Sequence, residues 1–249
     1  MNHKINIFSI QLSTLSLEET AKLIVSWAQR KRGKTVLACS MNDIIWSQKS
    51  LVVANSLKQA NLLTADGMSL VWASKVLKGI KIQRVYGPDL MLNVCQQTAG
   101  KQVSHFFYGS TNLVLKKLIN NLKKRFPKLK ISGFYSPPFC PLSVRDKKML
   151  IKKIDNNKSN IVWVGLGCPK QNLLSRWALK KFPSCVMVGV GAAFDFIAGT
   201  KKQAPKWMQN FGLEWLFRLV QEPRRLFKRY FLGIPKFLYL LIKEKFIKK

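Results

Sequence analysis

Acidic side chains are scarce in this chain of 249 residues, which has 11 Asp and Glu against 43 Lys and Arg. Asp66 is the acid best placed for chemistry, because it follows a short predicted strand at 61–64 and precedes a helical pattern. Ligands of parallel α/β sheets bind where strands end and helices begin. A carboxylate there can accept a proton from a substrate hydroxyl. The alternative is that Asp66 caps the helix that starts near Met68.

A glycine turn predicts a second part of the site. The β-branched run Ile161–Val164 is followed by Gly165 and Gly167, and then by Lys170 and Gln171 at the start of a helical pattern. Free backbone N–H groups at such a turn, with a lysine charge and an amide beside them, suit a nucleotide or a phosphate. The alternative is a tight strand-to-helix turn that needs glycine only for its dihedral angles.

The remaining candidates handle hydroxyl groups and negative charge. Asp195 follows the predicted strand 185–190, where it could bind ribose or sugar hydroxyls or cap a turn. No pair of carboxylates is spaced as DxD, so we expect no metal, and cationic side chains would then stabilise a leaving group. The obvious supply is a set of C-terminal arginines: Arg218, Arg224, Arg225 and Arg229.

The apolar patterning alternates regularly between strand and helix periods, without internal repeats. It predicts an α/β fold with a largely parallel sheet and helices on both faces. We expect the strands at 4–10, 35–39, 61–64, 104–108, 129–135, 161–164 and 185–190.

The composition changes after Gly199, where basic residues interleave with aromatic and aliphatic ones. We therefore expect an α/β core over 1–199 and a C-terminal appendage over 200–249, made of basic amphipathic helices that lie on anionic lipid. The alternative is helices that pack on the core with a solvated basic face. No signal peptide or spanning segment is recognisable, and five scattered cysteines indicate a reducing compartment without a zinc site. We expect a cytoplasmic protein.

The net charge of +32 predicts an anionic partner. A basic nucleic-acid-binding α/β protein is therefore the alternative function, although no known binding motif is present. A P-loop is absent, and a nicotinamide site lacks the third glycine and the ribose-binding acid of its fingerprint.

Several motifs occur together in a specific order. They are Ala65–Met68 with Val71–Ala73, Arg84–Asp89, Gly165–Gln171, Val188–Asp195, Ala198–Gly199, Ala204–Pro205, Gly212–Arg218, Gln221–Arg225 and Arg229–Tyr230. This set resembles the WecG/TagA/CpsF glycosyltransferases over nearly the whole chain.

The resemblance implies an inverting transferase that needs neither a metal nor a cofactor and has a Rossmann-like core. It would move N-acetylmannosamine or its uronic acid from a UDP-sugar donor. The acceptor would be N-acetylglucosamine on undecaprenyl diphosphate, at the inner face of the cell membrane. The products would be cell-surface polysaccharide or teichoic acid. The resemblance leaves open whether the protein is a monomer or a homo-oligomer.

The resemblance also implies roles for matching residues. Asp66 matches the general base, Ser40 and Asn42 match a Thr-x-Asn element near the acceptor, and Gln171 matches the glutamine of a Pro-Lys-Gln motif. Asn172 stands where the family often has Glu. The substrate-binding candidates are Arg84, Gly165, Gly167, Lys170, Asp195 and the appendage arginines Arg218, Arg224 and Arg225.

Overall fold

The computed structural model describes residues 3–138, 143–179 and 181–247. Its strands are β1 (Lys4–Ile7), β2 (Ile10–Ser13), β3 (Lys34–Cys39), β4 (Leu62–Ala65), β5 (Ser104–Gly109), β6 (Lys130–Tyr135), β7 (Ile161–Gly165) and β8 (Val186–Gly189). Within the described residues, six of them form one sheet in the order β4-β3-β8-β7-β5-β6. All neighbouring strands in this sheet are parallel. The carboxyl ends of the central strands therefore meet at one edge.

The prediction of a single first strand over 4–10 is wrong, because the segment turns back on itself. Strands β1 and β2 form a separate antiparallel hairpin. Phe8 and Ser9 make the turn, with φ angles of 52° and 60°. Two-residue hairpin loops favour positive φ at both positions, because their twist then matches that of the strands. Phe8 is also buried, which binds the turn to the protein interior.

The helices follow the strands closely. They are α1 (Leu17–Gln29), α2 (Met41–Lys49), α3 (Leu51–Gln59), α4 (Met68–Lys78), α5 (Gly87–Thr98), α6 (Asn112–Arg125), α7 (Val144–Asn156), α8 (Lys170–Leu179), α9 (Ala193–Ile197), α10 (Lys206–Asn210), α11 (Glu214–Gln221) and α12 (Pro223–Ile247). Local capping explains several starts. Ser16 and Glu19 form a capping box at α1, and Ser50 caps α3, which divides the single helix predicted up to Ala60.

Buried side chains alternate between the two faces of the sheet, as the pleat requires. Val36, Phe107 and Trp163 pack on one face with the apolar residues of α1, α5, α6 and α9. Leu37 packs on the other face with the hairpin and α2 to α4, and Val162 packs there with α7 and α8. The α/β fold with a parallel sheet and helices on both faces is confirmed.

The last three helices, α10 to α12, lie against the core at the strand ends. Leu226, Tyr230 and Phe237 of α12 are buried. The ring of Phe237 lies 5.4 Å from that of Phe8, between centroids. Among the described residues, no helix has both the length and the apolar character that crossing a bilayer requires.

Candidate active site

A cavity of about 440 Å³ lies at the carboxyl ends of β3, β4, β7 and β8, between the sheet and helices α11 and α12. The loops after the four strands form its floor, and the two helices form its roof. Most of the residues predicted for the site line it: Ser40, Asn42, Asp66, Arg84, Gly165, Gly167, Gln171, Asp195, Arg218 and Arg225. A parallel sheet explains this convergence, since its strand ends share one edge.

Asp66 lies on the cavity floor, directly after β4. Its Oδ1 accepts a hydrogen bond of 2.8 Å from the backbone N–H of Gly87, the first residue of α5. Helix α4 has Gly67 at its N-cap and no side-chain cap bond. Asp66 therefore does not cap α4, and its carboxylate is held at the start of another helix.

The surroundings of Asp66 tune its basicity. Desolvation by the surrounding protein raises the pKa of Asp66 to about 6, against the lowering influence of Arg84 and of the Gly87 hydrogen bond. Glu214 and Asp43 act in the raising direction. A carboxylate with this pKa is ionised at neutral pH and is more basic than an ordinary aspartate. It is suited to accept a proton from a hydroxyl group.

Ser40 and Asn42 lie beside Asp66, at the start of α2. The Ser40 hydroxyl donates a hydrogen bond of 2.7 Å to Oδ2 of Asp43, and the Ser40 backbone N–H donates to the same oxygen at 2.9 Å. Asp43 is buried and also lines the cavity. The Ser40 hydroxyl is therefore oriented by Asp43, a residue that the sequence did not single out.

Asn172 explains how Asp43 is held in the interior. Its Nδ2 donates a hydrogen bond of 2.9 Å to Oδ1 of Asp43, and Asn172 is fully buried. A glutamate at this position would place a second carboxylate beside Asp43, and like charges disfavour ionisation. Asn172 instead donates a hydrogen bond to Asp43.

Gln171 joins two strand-end loops. Its Oε1 accepts a hydrogen bond of 3.0 Å from the backbone N–H of Gly191, which follows β8. The side chain is buried, so the amide carbonyl holds the floor together. This hydrogen bond engages the carbonyl oxygen of the Gln171 amide.

Both glycines of the turn after β7 have local structural reasons. A Cβ on Gly165 would lie 2.5 Å from the ring of Phe194, and Gly167 has a φ of +72°. Gly165 therefore allows close packing, and Gly167 allows a left-handed turn. These reasons agree with the alternative of a tight strand-to-helix turn, although both residues also line the cavity. Asp195, in α9, lines the cavity and shares a 3.5 Å contact with the Thr200 hydroxyl.

The cavity roof carries three arginines, which are Arg218, Arg225 and Arg229. The Arg218 guanidinium lies over the Phe196 ring, 5.5 Å from its centroid. Arg225 is paired with Glu222. Nε of Arg229 is buried without a hydrogen-bond partner among the described residues. This group of cations faces the floor on which Asp66 lies, and it can receive negative charge.

Arg84 lines the cavity but is already engaged. Its Nη2 forms an ion pair with Glu214 of α11, and its Nε donates a hydrogen bond of 2.6 Å to the backbone carbonyl of Asp66. The guanidinium also lies over the Tyr86 ring, 4.1 Å from its centroid. These contacts hold Arg84 beside Asp66, between the core and α11.

Two predicted residues do not reach the cavity. Lys170 is exposed at the start of α8, and Arg224 is exposed on α12; neither belongs to the lining. Arg225 and Arg229 are four residues apart and share one helix face, whereas Arg224 is turned away by one residue, about 100°. Helical phase therefore separates the arginines of the Arg224–Arg225 pair.

Sequence reasoning missed the polar residues that hold the others in place, namely Asp43, Tyr86 and Glu214. Tyr86 and Glu214 lie within two of the recognised motifs, and the scarcity of acids was a usable signal for Asp43 and Glu214. In a chain with so few carboxylates, a buried one is expected to have a polar partner.

The cavity at the strand ends of this parallel α/β sheet thus places a carboxylate that can accept a proton opposite arginines that can receive negative charge. The chain matches the model of the "Glycosyl transferase WecG/TagA/CpsF family" over residues 5–249. It belongs to this family and is a glycosyltransferase.

Two curated relatives carry the same name, N-acetylglucosaminyldiphosphoundecaprenol N-acetyl-beta-D-mannosaminyltransferase. The protein from Bacillus spizizenii is 32% identical over 189 residues, which are 76% of this chain and 71% of the relative. The protein from Bacillus subtilis is 32% identical over 193 residues, which are 78% of this chain and 73% of the relative. The chain is thus similar to enzymes named for a lipid-diphosphate-linked acceptor.

Proposed function

We propose that the protein transfers N-acetylmannosamine, or its uronic acid, from a UDP-sugar to N-acetylglucosamine on undecaprenyl diphosphate, with inversion at the anomeric carbon. The observation that carries this proposal is Asp66, a carboxylate with a pKa raised to about 6 on the cavity floor. The names of the two relatives support the transferred sugar and the acceptor. The product would enter a cell-surface polysaccharide or teichoic acid.

The proposed reaction is a single displacement. Asp66 takes the proton of the acceptor 4-hydroxyl while that oxygen forms a bond to the anomeric carbon of the donor. The bond between the anomeric carbon and the phosphate oxygen breaks, and its electron pair leaves with UDP. A single attack from the face opposite the leaving group inverts the configuration, and one basic carboxylate is sufficient for it.

The arginines of the roof would stabilise the departing UDP in the place of a metal. Arg218, Arg225 and Arg229 supply charged donors that suit diphosphate oxygens. The described residues contain no group of three or more His, Cys, Asp or Glu side chains that could hold a metal ion. Gly165, Gly167, Gln171 and Asp195 would complete the donor site, as lining residues at the ends of β7 and β8.

The C-terminal appendage, residues 200–249, would bring this site to the lipid. Its described part combines many basic residues with exposed apolar side chains, a combination that favours a membrane interface. Phe211, Val220, Phe231 and Phe246 are all more than 60% exposed. The protein would thus lie on the inner face of the cell membrane, and its core, residues 1–199, would carry the floor of the site.

Family membership favours this enzyme over the nucleic-acid-binding protein that the charge alone allowed. Sedimentation with anionic vesicles, beside a DNA mobility shift at physiological salt, compares the two partners directly. We expect binding to vesicles and weak, salt-sensitive binding to DNA. Tight DNA binding without vesicle binding would contradict the proposal.

The test of the reaction is UDP release from a panel of UDP-sugars, with and without lipid-diphosphate-linked N-acetylglucosamine, in the presence of EDTA. We expect release from UDP-N-acetylmannosamine or its uronic acid only when the acceptor is present. Nuclear magnetic resonance of the product gives the anomeric configuration. Failure of every donor, retention of configuration, or loss of activity in EDTA would each contradict the corresponding part of the proposal.

A further inference from the structure

Glu214 is a carboxylate of the cavity roof. The described contacts of its side chain are with Arg84 and Tyr86, in the segment just before and at the start of α5. Glu214 is the first residue of α11, and its side chain is 13% exposed. One oxygen forms the ion pair with Arg84, and the other accepts a hydrogen bond of 2.9 Å from the Tyr86 hydroxyl. These contacts cross about 130 positions of sequence and join the appendage to the 84–87 segment.

The same short segment makes two hydrogen bonds to Asp66 and one to the preceding residue, Ala65. The backbone N–H of Val85 donates to the Ala65 carbonyl at 2.8 Å. Nε of Arg84 donates to the Asp66 carbonyl at 2.6 Å, and the N–H of Gly87 donates to the Asp66 carboxylate at 2.8 Å. Any displacement of this segment therefore moves the carboxylate or leaves it without its donor.

We propose that Glu214 is a positioning residue for the reaction, which sets both the place and the charge environment of Asp66 by holding Arg84 and Tyr86 from the appendage. This inference rests on the proposed role of Asp66 as the general base. The described contacts of the Glu214 side chain are with Arg84 and Tyr86 and not with Asp66. Glu214 acts through the 84–87 segment.

The charges of Arg84 and Glu214 act on the pKa of Asp66 in opposite directions. The Arg84 cation lowers the pKa of Asp66, and the Glu214 anion opposes this effect. When α11 is docked, Glu214 neutralises Arg84 and the base keeps its raised pKa. When α11 leaves, the charge of Arg84 acts on Asp66 alone and makes it a weaker base. Full basicity would thus develop only when Arg218, on the same helix, is also in place.

The test compares the variants Glu214→Gln, Arg84→Gln and the double variant, by the pH profile of kcat/KM for transfer. Glutamine keeps the size of Glu214 but not its charge. We expect the acid limb of Glu214→Gln to move below the wild-type midpoint near 6, and that of Arg84→Gln to move above it. The double variant should lie between the two. Each single variant should lose about tenfold in kcat/KM at neutral pH, because the base is also displaced.

Two further variants separate charge from mechanical support. Tyr86→Phe removes one hydrogen bond to Glu214 without changing a charge, so we expect a smaller loss of activity and an acid limb that does not move. Glu18→Gln changes the same chemical group at an exposed position of α1, and it should match the wild type. Acid limbs that coincide in Glu214→Gln, Arg84→Gln and the wild type would overturn the proposal.

A carboxyl carbon-13 titration measures the pKa of Asp66 without turnover, with Asp66→Asn used to assign the signal. Opposite shifts in Glu214→Gln and Arg84→Gln support the coupling even if no donor is transferred, in which case the proposed function fails by itself. An Asp66 pKa that is equal in all variants would overturn the coupling even if the enzyme is active.

Discussion

The floor and the roof of the cavity are built by different means. The floor consists of loops at the ends of parallel strands, and its polar residues are tied by short hydrogen bonds, as for Asp66 with Gly87 and Asp43 with Ser40 and Asn172. The roof consists of helices, and no residue of α11 is buried. The sheet therefore fixes Asp66, the proposed proton acceptor, whereas the position of the cations depends on how α11 and α12 are docked.

Asp66→Asn tests the floor, and we expect the largest effect from it. The change keeps the shape of the side chain but removes the proton acceptor, so transfer should fall on the order of 100-fold or more. Circular dichroism should match the wild type, and thermal stability at neutral pH should be equal or higher, because the neutral amide avoids the desolvation that raises the pKa of Asp66. Unchanged turnover would exclude Asp66 as the general base.

Arg218→Gln tests the roof, and we expect a loss of about 30-fold, because a charged donor to the leaving group is removed. Arg224→Gln is the matched comparison, since Arg224 is exposed and does not line the cavity. Initial rates at saturating donor measure both variants. Equal losses of activity in Arg218→Gln and Arg224→Gln would show that lining the cavity does not distinguish the two arginines.

Gly212→Ala tests the joint between floor and roof. Gly212 has a φ of +69°, and a Cβ there would clash with the ring of Trp72, a cavity residue of α4. We expect about fivefold lower activity and faster hydrogen exchange in α11. Gly199→Ala has the same positive φ with open space around it, so it isolates the backbone strain. A greater effect of Gly199→Ala would contradict the role of the Trp72 contact.

Glu222→Gln should have the smallest effect, because it alters a partly exposed charge cluster within the roof. Hydrogen bonds from Arg225 and Lys201 lower the pKa of Glu222 from 4.5 to about 2. A lowered pKa stabilises the folded state above about pH 4.5, and this contribution is lost as the pH falls toward 2. At neutral pH we expect a loss of about 0.5–1 kcal/mol in unfolding free energy.

Thermal unfolding of Glu222→Gln and the wild type at several pH values checks this prediction. The difference between the two proteins should shrink below pH 4.5 and vanish near pH 2. A difference that is constant over this range would show that the Glu222 charge does not contribute to stability.

The α/β fold follows from the sequence alone, and ten of the residues that the sequence predicts for the site line the cavity. Alternating strand and helix periods define the sheet, and polar residues directly after strands, such as Ser40 and Asp66, must meet because the carboxyl ends of parallel strands share one edge. The motifs then identified the family, which the comparison with known proteins confirmed.

The charged groups that are engaged in ion pairs, and those that line the cavity, are known from the folded arrangement and not from the sequence. The ion pair between Arg84 and Glu214 spans 130 positions, and no local spacing encodes such a contact. Helical phase places Arg225 in the cavity lining and Arg224 outside it. Left-handed dihedral angles at Phe8 and Ser9 make a hairpin where one strand was predicted. These features depend on which elements pack together, and local propensity carries no information about distant partners.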